Sequence, residues 1–319
     1  MHYRRLGRSG LKVSEISLGS WVTFGNQIDE QTAVDLLHLA YDQGINFFDN
    51  ADMYANGQAE IVMGKAIQGL PRPALVISSK VFWPTMPGPN GRGLSRKHIL
   101  ESVNASLRRL GTDYLDLYFC HRFDPDTPLD EVVQTMDILV RQGKVLYWGT
   151  SKWEAAQVVQ AYSIARQASM IPPSMEQPKY NMFDRKHVEV ELAHVVKEYG
   201  LGLTIFSPLE NGILSGKYND GIPQGSRASL EDMAWMRDIL TPGRIATVRQ
   251  LTALAQELGI TTAQLAIAWV LRRKEVSSVI IGATRLEQLD EDLLAAEAVA
   301  HLTDAVLERI EQIIGNIPE

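Results

Sequence analysis

The sequence predicts a parallel (β/α)8 TIM barrel, one domain over residues 1–319, fronted by an N-terminal β-hairpin and covered by extra C-terminal helices. Three observations carry this. Short apolar runs rich in strand formers alternate with amphipathic stretches along the whole chain; eight such runs can be read; and three early ones end in Asp49, Lys80 and His121. A barrel strand that delivers functional groups to its carboxyl end reads this way.

In order, residues 3–14 hold two glycines between short mixed segments and read as the hairpin. The strands are predicted at 16–20, 46–49, 75–80, 115–121, 146–151, 175–177, 203–207 and 279–282. Amphipathic helices are expected at 29–43, 95–110, 128–141, 153–168, 185–199 and 262–273, and two covering helices at 286–299 and 303–314. Ser95 is placed to cap a helix start, while Gly44, Gly143 and Gly200 stand where helices should stop. The Pro- and Gly-rich loop 84–93 follows the strand ending in Lys80 and reads as an active-site flap.

Bulk properties narrow the function. A hydrophobic content of 45% and charged content of 22% are ordinary for a soluble globular enzyme. A formal charge of −7 argues against nucleic-acid binding, which needs concentrated Lys and Arg. No apolar run of membrane-spanning length and no signal-peptide core is visible, so the expected location is cytoplasmic, without membrane insertion. The single cysteine, Cys120, should face away from His121 as a small buried hydrophobe.

Side chains alternate along a strand. If Phe47, Ser78 and Phe119 point inward, Asp49, Lys80 and His121 do too, and Tyr54 joins them from the following loop. A phenol is protonated at neutral pH and can donate. Lys80 would stabilise the phenolate left behind, Asp49 would hold the ammonium, and His121 would orient a carbonyl oxygen. None of the four is an evident carbon nucleophile, so a cofactor should bring the second reactant, with hydride the leading candidate.

The usual nucleotide fingerprints are missing. Gly200-Leu-Gly202 precedes a strand instead of following one, and the Gly212 to Tyr218 segment is one residue short of a P-loop. The loops after the last two strands offer another phosphate site, with Lys217, Arg227 and Arg285 nearby in sequence; a plain surface helix with scattered charges is the alternative. The seven histidines show no metal-ligand spacing, so no metal is expected.

These residues resemble the aldo-keto reductase superfamily over essentially the whole chain. The match runs in order through Gly19-Ser-Trp21, Asp49-x-Ala-x-x-Tyr54, Lys80, His121, Gly149-Thr-Ser-Lys152, Glu176-Gln-Pro-x-Tyr180, Ser207-Pro-Leu209, Ser215-Gly-Lys217-Tyr and Gly282-Ala-Thr. The family tetrad falls on Asp49, Tyr54, Lys80 and His121. Trp21-Val-Thr-Phe-Gly, Tyr180-Asn-Met-Phe and Ser226-Arg-Ala-Ser resemble the branch related to potassium-channel β-subunits. The resemblance implies that NADP(H) contacts Ser20, Trp21, Gln27, Asp49, Ser151, Lys152, Gln177, Phe206, Ser207, Pro208, Leu209, Lys217, Arg227, Gly282, Thr284, Gln288, Glu291 and Asp292, with Lys217 and Arg227 on the 2′-phosphate side. It also hints at a ring-like tetramer.

Three departures from that pattern stand out. The channel subunits tend to have Asn where this chain has His121, and an N-terminal extension that this chain is expected to lack. Phe206 replaces the usual Trp or Tyr, keeping the π face without the polar handle. Asp292 replaces the usual Asn near the adenine and only accepts hydrogen bonds when ionised.

The expected function is therefore NADPH-dependent reduction of a small-molecule aldehyde or ketone, with Trp21, Phe82, Trp83, Phe123 and Trp153 around the substrate. Simple loop packing is the alternative for these aromatics. The rival functions are a cofactor-sensing channel subunit with weak turnover, and a cofactor-free barrel isomerase.

Overall fold

The computed structural model describes residues 1–318, apart from the Asp232 side chain. After the antiparallel hairpin of β1 (Tyr3–Arg5) and β2 (Lys12–Ser14), eight parallel strands close into a barrel. They are β3 (Ile16–Gly19), β4 (Phe47–Asp49), β5 (Val76–Val81), β6 (Leu115–Cys120), β7 (Val145–Ser151), β8 (Met175–Gln177), β9 (Gly202–Ile205) and β10 (Val276–Ile281). Each pairs with the next, and β10 closes on β3 through Val279–Ile16 and Ile281–Leu18. All eight predicted strands are present, with ends shifted by up to three residues.

The alternation argument holds inside the barrel. Phe47, Val76, Leu117, Phe119, Met175 and Ile280 pack there in one cluster with Leu6 and Val13 of the hairpin. The hairpin thus stops the amino-terminal end: the Arg8 amide donates to the Gly200 carbonyl at 2.8 Å, and Gly7 lies so close to Gly200 that a Cβ would sit 2.3 Å from that oxygen. Only the carboxyl ends of the strands remain open.

The covering helices are α1 (Glu30–Asp42), α2 (Gln58–Ala66), α3 (Arg96–Leu110), α4 (Leu129–Arg141), α5 (Ala155–Gln167), α6 (Ala193–Tyr199), α7 (Met236–Ile239), α8 (Pro242–Glu257), α9 (Thr262–Leu271), α10 (Leu286–Leu293), α11 (Ala295–Ala298) and α12 (Asp304–Ile314). Ser95 does cap α3, accepting from the His98 amide at 3.2 Å, and Gly44, Gly143 and Gly200 all take positive φ at helix ends. Two helices lacked a clear sequence signal. In α2 nearly every position is buried and several are small, so no apolar stripe stands out; α8 spreads its buried residues thinly behind Pro242-Gly243. The stretch expected as one helix at 185–199 divides into a π turn, His187–Glu191, and α6.

Loop 84–93 folds on itself instead of reaching over the barrel mouth. The Thr85 amide donates to the Gly91 carbonyl at 3.1 Å and the Gly93 amide to that of Phe82 at 2.7 Å. Cys120 is fully buried among the outward-facing core residues, and burial pushes its thiol pKa up, so it is inert. Among the described residues no single helix is long and apolar enough to cross a membrane.

Helix α2 packs so tightly on α3 that a Cβ on Gly64 would lie 2.5 Å from the Arg109 carbonyl oxygen, whereas one on Gly111 would meet nothing within 4 Å. Gly64→Ala is expected to cost about 3 kcal/mol through overpacking. Gly111→Ala should cost about 1 kcal/mol, from its left-handed φ alone. Thermal unfolding of the two variants checks the order, and equal losses would contradict the contact.

Candidate active site

Strands β4, β5 and β6 bring three of the four predicted residues to one point because their inward registers end together at the open face. Lys80 is wholly buried there. Its Nζ donates to Asp49 Oδ2 at 2.6 Å, to the Asn50 carbonyl at 2.7 Å and to the Tyr54 phenol oxygen at 3.2 Å. An ammonium has three donors, and all three are used. Since the phenol oxygen accepts from Lys80, the Tyr54 hydroxyl hydrogen is left to point elsewhere, and the cavity is what remains.

Asp49 is fixed from its other oxygen: Ser78 Oγ donates to Oδ1 at 2.8 Å and Gln177 Nε2 at 3.0 Å. Tyr54 is delivered by a turn in which Ala55, Asn56 and Gly57 all take positive φ, at 48°, 54° and 88°. Two of these are not glycine, a conformation that costs free energy and that surrounding structure must hold. Burial, then Asp49, raise the Tyr54 pKa well above 10.0, so the phenol stays protonated. Burial lowers the Lys80 pKa, and Asp49 opposes that shift.

His121 stands edge-on to Tyr54, ring centroids 5.9 Å apart. Burial and then the charges of Lys80 and Arg122 hold its pKa well below 6.5, so the imidazole is neutral. Its Nδ1 is buried without a hydrogen-bond partner.

These groups open into a cavity of about 880 Å³. Asp49, Tyr54 and His121 line it, while Lys80 lies behind them. Of the residues expected around a cofactor, Trp21, Gln27, Ser151, Lys152, Gln177, Phe206, Ser207, Pro208, Leu209, Lys217, Arg227, Gly282, Thr284 and Gln288 are in the wall. Ser20, Glu291 and Asp292 are not. Ser20 is buried beneath, donating to the Asp49 carbonyl at 3.1 Å. Asp292 is also buried, with one unpartnered carboxyl oxygen, and burial followed by Glu291 pushes its pKa up to about 7.

Of the aromatics expected around a substrate, Trp21 and Trp83 line the cavity. The expectation is corrected for the others: Phe82 packs edge-on against Trp83, and Phe123 against the fully buried Trp153, both within the loop packing. Position beyond a strand end fixes the face of the barrel but not which way the loop turns. Sequence reading also missed Met53, Ile28 and Arg122 in the wall. Arg122 follows His121 directly, and this adjacency at a strand end was the signal available in the sequence.

At the far end of the cavity, Lys217 and Arg227 have no carboxylate within 4.0 Å among the described residues. Lys217 is exposed to the cavity, yet the protein around it and then the Arg227 charge bring its pKa down to about 8. Unpaired cations held side by side fit a dianionic phosphate group. Gln27 adds a buried carbonyl oxygen with no partner. Among the described residues no group of three or more metal-ligating side chains is assembled.

Comparison with known proteins places the chain in a family. Two plant proteins, each described as a probable voltage-gated potassium channel subunit beta, are similar throughout: one from Arabidopsis thaliana is 48% identical and one from Oryza sativa subsp. japonica 46%. Each alignment covers 100% of this chain and 98% of the relative. The sequence model of the Aldo/keto reductase family matches residues 15–315. With that match over nearly its whole length, the chain belongs to the aldo/keto reductase family of oxidoreductases.

Proposed function

We propose that the protein reduces aldehyde or ketone carbonyls with NADPH, Tyr54 being the proton donor. The observation that carries this reading is the orientation of the phenol: Lys80 occupies its lone pair from behind, so its hydrogen faces the cavity beside His121. Bound in this cavity, a reduced nicotinamide dinucleotide would supply the hydride. Lys217 and Arg227 would hold its phosphate end, and Phe206, Ser151 and Gln177 line the wall near Asp49.

As the carbonyl oxygen gains charge, Tyr54 gives it a proton and becomes a phenolate, which the Lys80 ammonium stabilises in place. Asp49 keeps that ammonium aimed at the phenol. Neutral His121 donates a hydrogen bond to the same oxygen and orients the carbonyl. Trp83, edge-on to His121, supplies apolar wall there, while Trp21 lines the cavity with the Arg227 guanidinium carbon 5.8 Å from its ring centroid.

The names of the two plant relatives favour a second reading, a cofactor-sensing subunit of a channel with slow turnover. Recovery of a channel partner with the protein, combined with NADPH binding and no aldehyde turnover, would select it.

Three outcomes are expected of the reductase. Tyr54→Phe should lower kcat with 4-nitrobenzaldehyde at least about hundredfold while NADPH affinity stays within about twofold; retained turnover would remove the phenol from its role. Arg227→Met should weaken NADPH about tenfold or more and leave NADH little changed, because only the former carries the extra phosphate. Equal loss for both cofactors would move Arg227 away from that phosphate. Finally, because His121 is neutral well below pH 6.5, acidification through that value should not titrate it. An acid limb of kcat centred near 6.5 that vanishes in His121→Gln would sink the neutral-imidazole assignment.

A further inference from the structure

Arginines withdrawn from solvent are almost always paired in this protein. The contacts run from Arg185 with Glu311 at 2.5 Å to Arg273 with Glu275 at 3.8 Å. Two half-buried arginines have no carboxylate within 4.0 Å among the described residues, Arg227 and Arg122, and both line the cavity that Tyr54 and His121 face. An unpaired guanidinium held away from water is costly. Arg227 has its explanation in the phosphate end. Arg122 stands at the opposite end, with its guanidinium carbon 5.7 Å from the Trp83 ring centroid, and Trp83 is edge-on to His121 at 6.4 Å.

The protein offers Arg122 little. One guanidinium nitrogen donates to the carbonyl of His121, the residue before it. The nearby Glu176 is a weak counter-charge: it accepts from the Thr150 hydroxyl and, at 3.3 Å, from the Trp153 amide, and burial pushes its pKa up to about 7. Asp49 is neutralised by Lys80, and His121 and Tyr54 carry no charge. The substrate end therefore has a net positive charge, to which Lys152 adds.

We propose that Arg122 is the specificity-determining residue of this site and that the favoured substrates carry a carboxylate in addition to the carbonyl to be reduced. This rests on the reductase reading. A guanidinium presents two parallel N–H donors that match a carboxylate, and a half-buried one discriminates strongly against a neutral group of similar shape.

The test compares 4-carboxybenzaldehyde with its methyl ester, methyl 4-formylbenzoate, at saturating NADPH. The aldehyde of the ester is intrinsically the more electrophilic, because a neutral ester group withdraws electrons more strongly than a carboxylate, so a preference for the acid must come from the protein. Wild type should favour the carboxylate by about tenfold in kcat/KM, carried by KM. In Arg122→Gln the ratio should fall to about one, and Arg122→Lys, which keeps the charge without the fork, should lie between. A wild-type ratio at or below one overturns the proposal by itself, even if the glutamine variant does not fold, and so does a ratio unchanged in Arg122→Gln. If neither aldehyde is reduced, the reductase reading fails; if both are reduced without discrimination, this inference alone fails.

Discussion

The ion pair of Lys80 and Asp49, wholly withdrawn from water at 2.6 Å, is the interaction on which the rest of the site depends. Burying two charges costs several kcal/mol each, and pairing them returns only part of that. Such a pair adds little to stability, and here its geometry points to positioning. It fixes an ammonium against a phenol oxygen, and it does so only because β4 and β5 are in register and because Ser78 and Gln177 hold the carboxylate from the other side.

The charges around that pair are arranged by sign and position. Neutral His121 and protonated Tyr54 face the cavity beside Asp49, Lys80 lies behind them, and the unpaired cations Arg122, Lys217 and Arg227 are also in the wall. A low-dielectric wall makes each of these fixed charges count for more than it would in water. The overall acidity of the chain conceals this, because formal charge averages over a surface that the cavity does not share.

Much of this was legible in the residues. The eight strands and the convergence of Asp49, Tyr54, Lys80 and His121 follow from a two-residue alternation and from where apolar runs end, both local properties of the chain. Helices α2 and α8 were not legible: one is buried on nearly every side and the other has only a faint stripe. Loop directions were equally silent. Phe82 and Phe123 lie just past strands as Trp83 and Arg122 do, yet turn into packing while those two turn into the cavity. That choice depends on contacts between loops distant in sequence.

The hairpin plug also bears on traffic through the molecule. Leu6 and Val13 pack against the inward side chains at the amino-terminal end of the strands, and none of the first fourteen residues lines the cavity at the other end. The first fourteen residues thus leave the carboxyl-end face as the approach to Tyr54 and His121, although they lie far from both groups.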